Sequence, residues 1–230
     1  MIADYVYHFM PLRRPGREEN DIKNVKLAVL KSGYFFDNPS NFNDPFDCKP
    51  NFRSDNKDQL AEDLHAQLSE VLGNVGIFCV AEELYRTLMW SHYANGHQGV
   101  ALQFSTQQIR SAIKGIGIID KVKYQNVFPK ITFDGRDRLK LVERIIFTKS
   151  KRWVYEKEVR IVLPDETEKV KYLPKMPVRN IYLGCKIDSK DQAELREAFK
   201  DLPNNLFKLQ PSSTKFAYYR RAIKFDSMGK

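Results

Sequence analysis

The chain has 230 residues and a formal net charge of +9, with 42% apolar and 12% aromatic side chains. That length and apolar content suffice for one well-filled domain, and the basic balance favours anionic partners. No run approaches the roughly 18 consecutive apolar residues of a membrane helix. The opening Met1-Ile2-Ala3-Asp4 carries no signal-peptide pattern. Three widely spaced cysteines, Cys48, Cys79 and Cys185, exclude a disulfide framework and a zinc ribbon. A cytoplasmic location without a membrane partner is expected.

Taken in order, residues 4–10 read as a strand cut off by Pro11. Asn20 or Asp21 is placed to cap a helix carrying Ile22, Val25 and Val29, with Gly33 as its stop. Tyr34-Phe35-Phe36 follows as a strand. Residues 38–50, rich in Asn, Asp and Pro, must be loop. Residues 56–73 form a helix with Leu60, Leu64, Leu68 and Val71 on one stripe. Strands are expected at 75–81, 100–104, 121–124, 158–163, 181–183, 207–209 and 217–225. Helical segments are expected at 84–94, after Ser105 or Thr106, at 136–147 and at 189–200. The elements are interspersed without regular alternation, which predicts a single α+β domain over residues 1–230 rather than a doubly wound parallel sheet.

Several familiar chemistries find no footing. There is no phosphate-cradling P-loop, and Gly115-x-Gly117 lacks the third glycine of a dinucleotide fingerprint. Ser91 has no nucleophile-elbow glycines around it, and the four histidines show no ligand spacing with cysteine. What remains is Glu156-Lys157-Glu158 at the mouth of the apolar run Val159–Leu163. On a strand, residues i and i+2 face one side, so the two carboxylates are expected to project together. Such a pair suits sugar chemistry, where one carboxylate stabilises an oxocarbenium ion and another positions the attacking group. Salt bridges to Lys151, Lys157 and Arg160 are the plain structural alternative. The segment 89–94, with Trp90, His92 and Tyr93, is dense in side chains that both stack and hydrogen-bond.

Together, residues 34–47, 76–80, 89–100 and 151–160 resemble the bacterial family called domain of unknown function 2971, a family without a settled activity. The stretch Glu156–Pro164 also resembles the Glu-x-Glu strand of the ADP-ribosyltransferases. That resemblance implies two small, mostly antiparallel sheets forming a cleft with flanking helices. It further implies NAD as substrate, Glu158 as the catalytic carboxylate and Glu156 as its accessory, with no metal expected. His8 would be contributed by the first core strand and Tyr93 by the middle position, and Tyr34 or Tyr93 would stack on the nicotinamide. Trp90 and His92 complete the expected nucleotide-binding set. A protein or nucleic-acid acceptor, and a role as a toxin or phage-defence effector, follow by the same analogy.

Two other functions fit the residues. Asp44, Asp47, Glu156 and Glu158 would serve a Mg²⁺-dependent nuclease as oxygen ligands. A non-catalytic basic module would bind nucleic acid through Trp90, Tyr93, Trp153 and Tyr155.

Overall fold

The computed structural model describes residues 1–49, 59–128, 138–202 and 205–223, with side chains described throughout except at 59–63 and 138–139. Strand β1 (Tyr5–Met10) leads to helix α1 (Glu18–Lys31) and strand β2 (Gly33–Phe36). Helix α2 (Gln59–Asn74), strand β3 (Val75–Ala81), helix α3 (Thr87–Tyr93) and strand β4 (Val100–Ser105) follow. Next come α4 (Thr106–Ala112), β5 (Ile118–Lys121), β6 (Lys123–Gln125), α5 (Arg138–Ile146) and β7 (Thr148–Ser150). A 3-10 turn, Lys151–Glu156, precedes β8 (Glu158–Pro164). The chain ends through β9 (Lys169–Tyr172), β10 (Asn180–Leu183), α6 (Ser189–Ala198), β11 (Asn205–Pro211) and β12 (Tyr218–Ala222). The α+β class is the one expected. Of the expected segments, 56–58, 136–137 and 224–225 lie outside the described residues.

Eight strands join in the order β12-β11-β10-β4-β1-β3-β8-β5, and β2-β9 and β6-β7 form separate two-stranded ribbons. Within the large sheet only β10 and β11 run parallel. The sheet has a weak seam. β1 pairs with β4 along its whole length, but with β3 only at Tyr7↔Ala81. Beyond that point the backbone of Ile77 in β3 bonds instead to Asp37. A five-stranded wing and a three-stranded wing therefore diverge, and a cleft opens between them.

Alternation along each strand sorts side chains to the two faces. Val6, Phe78, Val80, Leu102, Phe104, Val159 and Ile161 share one core with α1, α4 and α6. On the other face, α2 and α5 cover the three-stranded wing around Ile77 and Val162, and α3 covers the five-stranded wing around Phe9, Ala101 and Tyr182, reaching Ala81 at the seam. On α2 the buried stripe is Leu64, Leu68 and Leu72, whereas Val71 is 41% exposed.

Two local expectations change. Helix α1 begins before Asn20, and Asp21 pairs with Arg14 at 2.7 Å instead of capping. Its stop is Ser32, in the left-handed region at φ 51°, while Gly33 already belongs to β2. The Gly33 position is also tight, since a Cβ there would lie 2.9 Å from the Leu27 side chain.

Candidate functional site

On the second face, beside the seam, lies a buried cluster of charges. Arg160 sits in the middle of β8 and is fully buried. Its Nε and Nη2 donate to the two carboxylate oxygens of Glu158 at 2.8 and 3.0 Å. Its Nη1 and Nη2 donate to the two oxygens of Asp47 at 3.0 and 2.6 Å. The planar guanidinium fork matches two carboxylates at once, which an ammonium does not. Lys149, in β7, places its Nζ 2.6 Å from Glu156, 3.1 Å from Glu158 and 3.4 Å from Asp47.

Glu156 and Glu158 converge, but not by strand alternation. Glu156 ends the 3-10 turn, and Lys157 adopts the left-handed conformation at φ 45° before the strand starts. That kink turns Glu156 back toward Lys149, where the hydroxyl of Tyr93 donates to it at 2.5 Å. Tyr93 belongs to α3 and therefore sits on a helix, not on a strand.

The two glutamates differ in chemistry. Burial works against ionisation of Glu158, but Arg160 and Lys149 hold its carboxyl well below the usual range. It is a fixed anion. Glu156 is raised, chiefly by burial and also by Glu158, against the pull of Lys149. Three carboxylates face two cations here, which leaves one negative charge beside the cleft. Burial disfavours the charge of Lys149, yet Glu158, Glu156 and Asp47 together raise it above the ordinary lysine value. Metal coordination was one expectation for these carboxylates. Asp47 does join the glutamate pair, but the group at their centre is the ammonium of Lys149, and Asp44 instead accepts the Phe46 backbone N–H.

The cleft at the seam encloses about 820 Å³. Glu156, Glu158, Tyr93, His92, His8 and Tyr34 all border it. His8 reaches it from the opposite face to Glu158, because it alternates with Tyr7 and stacks on Phe78 with ring centroids 4.2 Å apart. Its Nδ1 donates to the Cys79 carbonyl at 2.7 Å, bridging the diverged strands where a ladder bond would otherwise lie. Burial lowers the His8 pKa to about 4, so the ring is neutral at pH 7 with Nε2 as an acceptor. Tyr34 is 1% exposed and its hydroxyl donates to the Met176 carbonyl at 2.5 Å. Burial pushes its phenol up to about 12. It forms a wall of the cleft, and its polar tip is committed to the protein.

Trp90 does not border the cleft. It is 1% exposed, packs edge-on against Phe9 and donates its indole N–H to the Leu84 carbonyl at 2.7 Å. Three apart on α3, Trp90 and Tyr93 take different environments because the helix edge, not its centre, meets the cleft. Asp47, Lys149 and Arg160 carry the cluster. Arg160 was visible beside the glutamates, but nothing in the local pattern around Thr148-Lys149-Ser150 marks Lys149. The far end of the cleft is lined by Arg14, Arg17, Asn20 and Asn24 from the α1 region.

Residues 89–161 match the profile of a family described as "Protein of unknown function (DUF2971)". The matched stretch contains Tyr93, Lys149, Glu156, Glu158 and Arg160, but not His8, Tyr34 or Asp47. No curated protein and no solved structure matches the chain. Among the described residues, no helix is long and apolar enough to cross a membrane.

Proposed function

We propose that the protein is an enzyme that consumes NAD by breaking its nicotinamide–ribose bond, in the manner of an ADP-ribosyltransferase. The observation that carries this reading is Glu156. It is a buried carboxylate of raised pKa, held by Tyr93 and Lys149 at the edge of a cleft between two sheet wings. In the reaction, the C1′–N bond of NAD breaks and its electron pair leaves with neutral nicotinamide. The cationic sugar is stabilised by the excess negative charge of the cluster. An acceptor oxygen or nitrogen, or water, then bonds to C1′ and gives its proton to Glu156.

The remaining parts of the cleft suit the rest of the ligand. The exposed guanidinium of Arg17, with Asn20 and Asn24, offers donors for a diphosphate. The Nε2 of neutral His8 offers an acceptor to a ribose hydroxyl. In this reading Glu158 is a positioning residue, because Arg160 already occupies both of its oxygens. An NAD-consuming activity of this kind suits a toxin or phage-defence effector.

The test is nicotinamide release from NAD by the purified chain. Glu156→Gln is expected to lower kcat by about 10²–10⁴, the range for loss of a general base, with an unchanged circular dichroism spectrum. A folded wild-type protein that releases no nicotinamide at millimolar NAD overturns the proposal.

A further inference from the structure

Lys149 borders a second cavity, of about 620 Å³. Its walls combine three features. Phe46, Phe128, Trp153 and Tyr155 supply ring surface, and Phe46 and Phe128 are 62% and 44% exposed with centroids 6.4 Å apart. Lys49 and Arg152 lie on the same wall, and their side chains form no ion pair among the described residues. Asp44 is 4% exposed; its Oδ1 accepts the Phe46 backbone N–H at 3.0 Å, whereas its Oδ2 has no hydrogen-bond partner among the described residues. A buried carboxylate oxygen without a donor is rare in a folded protein, because it has lost water and gained nothing in exchange.

A ligand that completes this cavity needs a flat ring, an N–H donor for Asp44 and negative charge for Lys49 and Arg152. We infer that the cavity receives an unpaired base of a single-stranded nucleic acid. The base stacks on the aromatic wall, its ring or amino N–H reaches Asp44 Oδ2, and the flanking phosphates meet Lys49 and Arg152. An arginine-bearing peptide also offers a stacking plane and an N–H donor, but its charge is opposed by Lys49 and Arg152. A base inside a duplex keeps both faces stacked on its neighbours, which excludes double-stranded nucleic acid. Resting on the NAD reading, this strand is the acceptor, and Lys149, which lines both cavities, marks where the two sites adjoin.

The test is fluorescence anisotropy of the full chain, without NAD, with labelled 12-nucleotide single strands of DNA and RNA, the matching duplex and an arginine-rich peptide. A single strand is expected to bind best. Its affinity should fall about tenfold between 50 and 200 mM salt, as for two or three neutralised phosphates. Lys49→Glu with Arg152→Glu should weaken binding at least tenfold, and Phe46→Ala, at an exposed position, about fivefold. Absence of single-strand binding at 50 mM salt, binding that these variants leave intact, or preference for the duplex or the peptide overturns the inference. Nicotinamide release, measured without oligonucleotide, separates the two proposals. Release without strand binding removes this site and leaves the NAD reading; strand binding lost in the variants, without release, does the reverse.

Discussion

Arg160 grips Asp47, 113 positions earlier in the chain, through two near-parallel hydrogen bonds of 3.0 and 2.6 Å. The contact fastens the Asn- and Pro-rich loop after β2 to the middle of β8. The same guanidinium holds Glu158 and stacks over the Phe42 ring at 5.3 Å, so one buried side chain sets one wall of the cleft.

Arg160→Met is therefore expected to destabilise the protein by about 3–5 kcal/mol, the cost of leaving buried carboxylates without their partner. Arg160→Lys should recover only part of that loss, because an ammonium cannot bond two carboxylates in the fork geometry. Urea denaturation at pH 7 checks both.

Lys149 and Glu156 form a pair whose loss is not symmetrical. Lys149→Met leaves two or three buried carboxylates facing one another and should cost about 3 kcal/mol at pH 7. Lys149→Met combined with Glu156→Gln should be more stable than Lys149→Met alone, since the most easily neutralised charge is then absent. A double-mutant cycle by chemical denaturation should give a coupling of about 1–3 kcal/mol.

His8 makes stability depend on acid. Its pKa falls from 6.5 in the unfolded chain to about 4 in the fold. Below pH 6.5 the unfolded state binds the proton more readily, so the contribution present above pH 6.5 is lost as pH falls toward 4. The loss is at most about 3 kcal/mol. Glu158, held low, adds to it only below the ordinary carboxylate range near 4.5, while Glu156, held high, acts in the opposite direction. His8→Gln should flatten the decline in urea midpoint between pH 6.5 and 5 relative to wild type. An unchanged slope would assign the acid sensitivity elsewhere.

The thiols separate by environment. Burial pushes the Cys48 and Cys79 thiols up, with Arg160 opposing and nearby carboxylates adding to the effect. Cys79 and Cys185 are both partly buried, and Cys79 lies beside Glu158. In native protein at pH 8, a thiol reagent should modify Cys185 first and leave Cys48 untouched until the chain is unfolded. Mass spectrometry of the labelled peptides checks the order.

Much of the fold was legible because periodicity survives without tertiary information. β3, β4, β8 and β10 are short apolar runs, and the α2 and α5 segments carry their stripes at helical spacing. The short strands β7 and β9 were not legible. Thr148-Lys149-Ser150 and Lys169-Val170-Lys171-Tyr172 pair only in two-stranded ribbons and bury little apolar surface, so no pattern announces them.

Residues 156–160 alone place two glutamates, with an arginine two residues on, at the entrance to a buried strand. The sequence also determined that His8 would lie on the opening strand and Tyr93 beside Trp90. Which of these groups meet depends on how distant segments pack. The left-handed Lys157, the single β1–β3 pairing and the arrival of Asp47 and Lys149 from distant segments are backbone and packing outcomes that no local spacing encodes. They exchange the expected roles of the pair. Arg160 fixes Glu158 as a permanent anion, and burial leaves Glu156 as the carboxylate able to take up a proton.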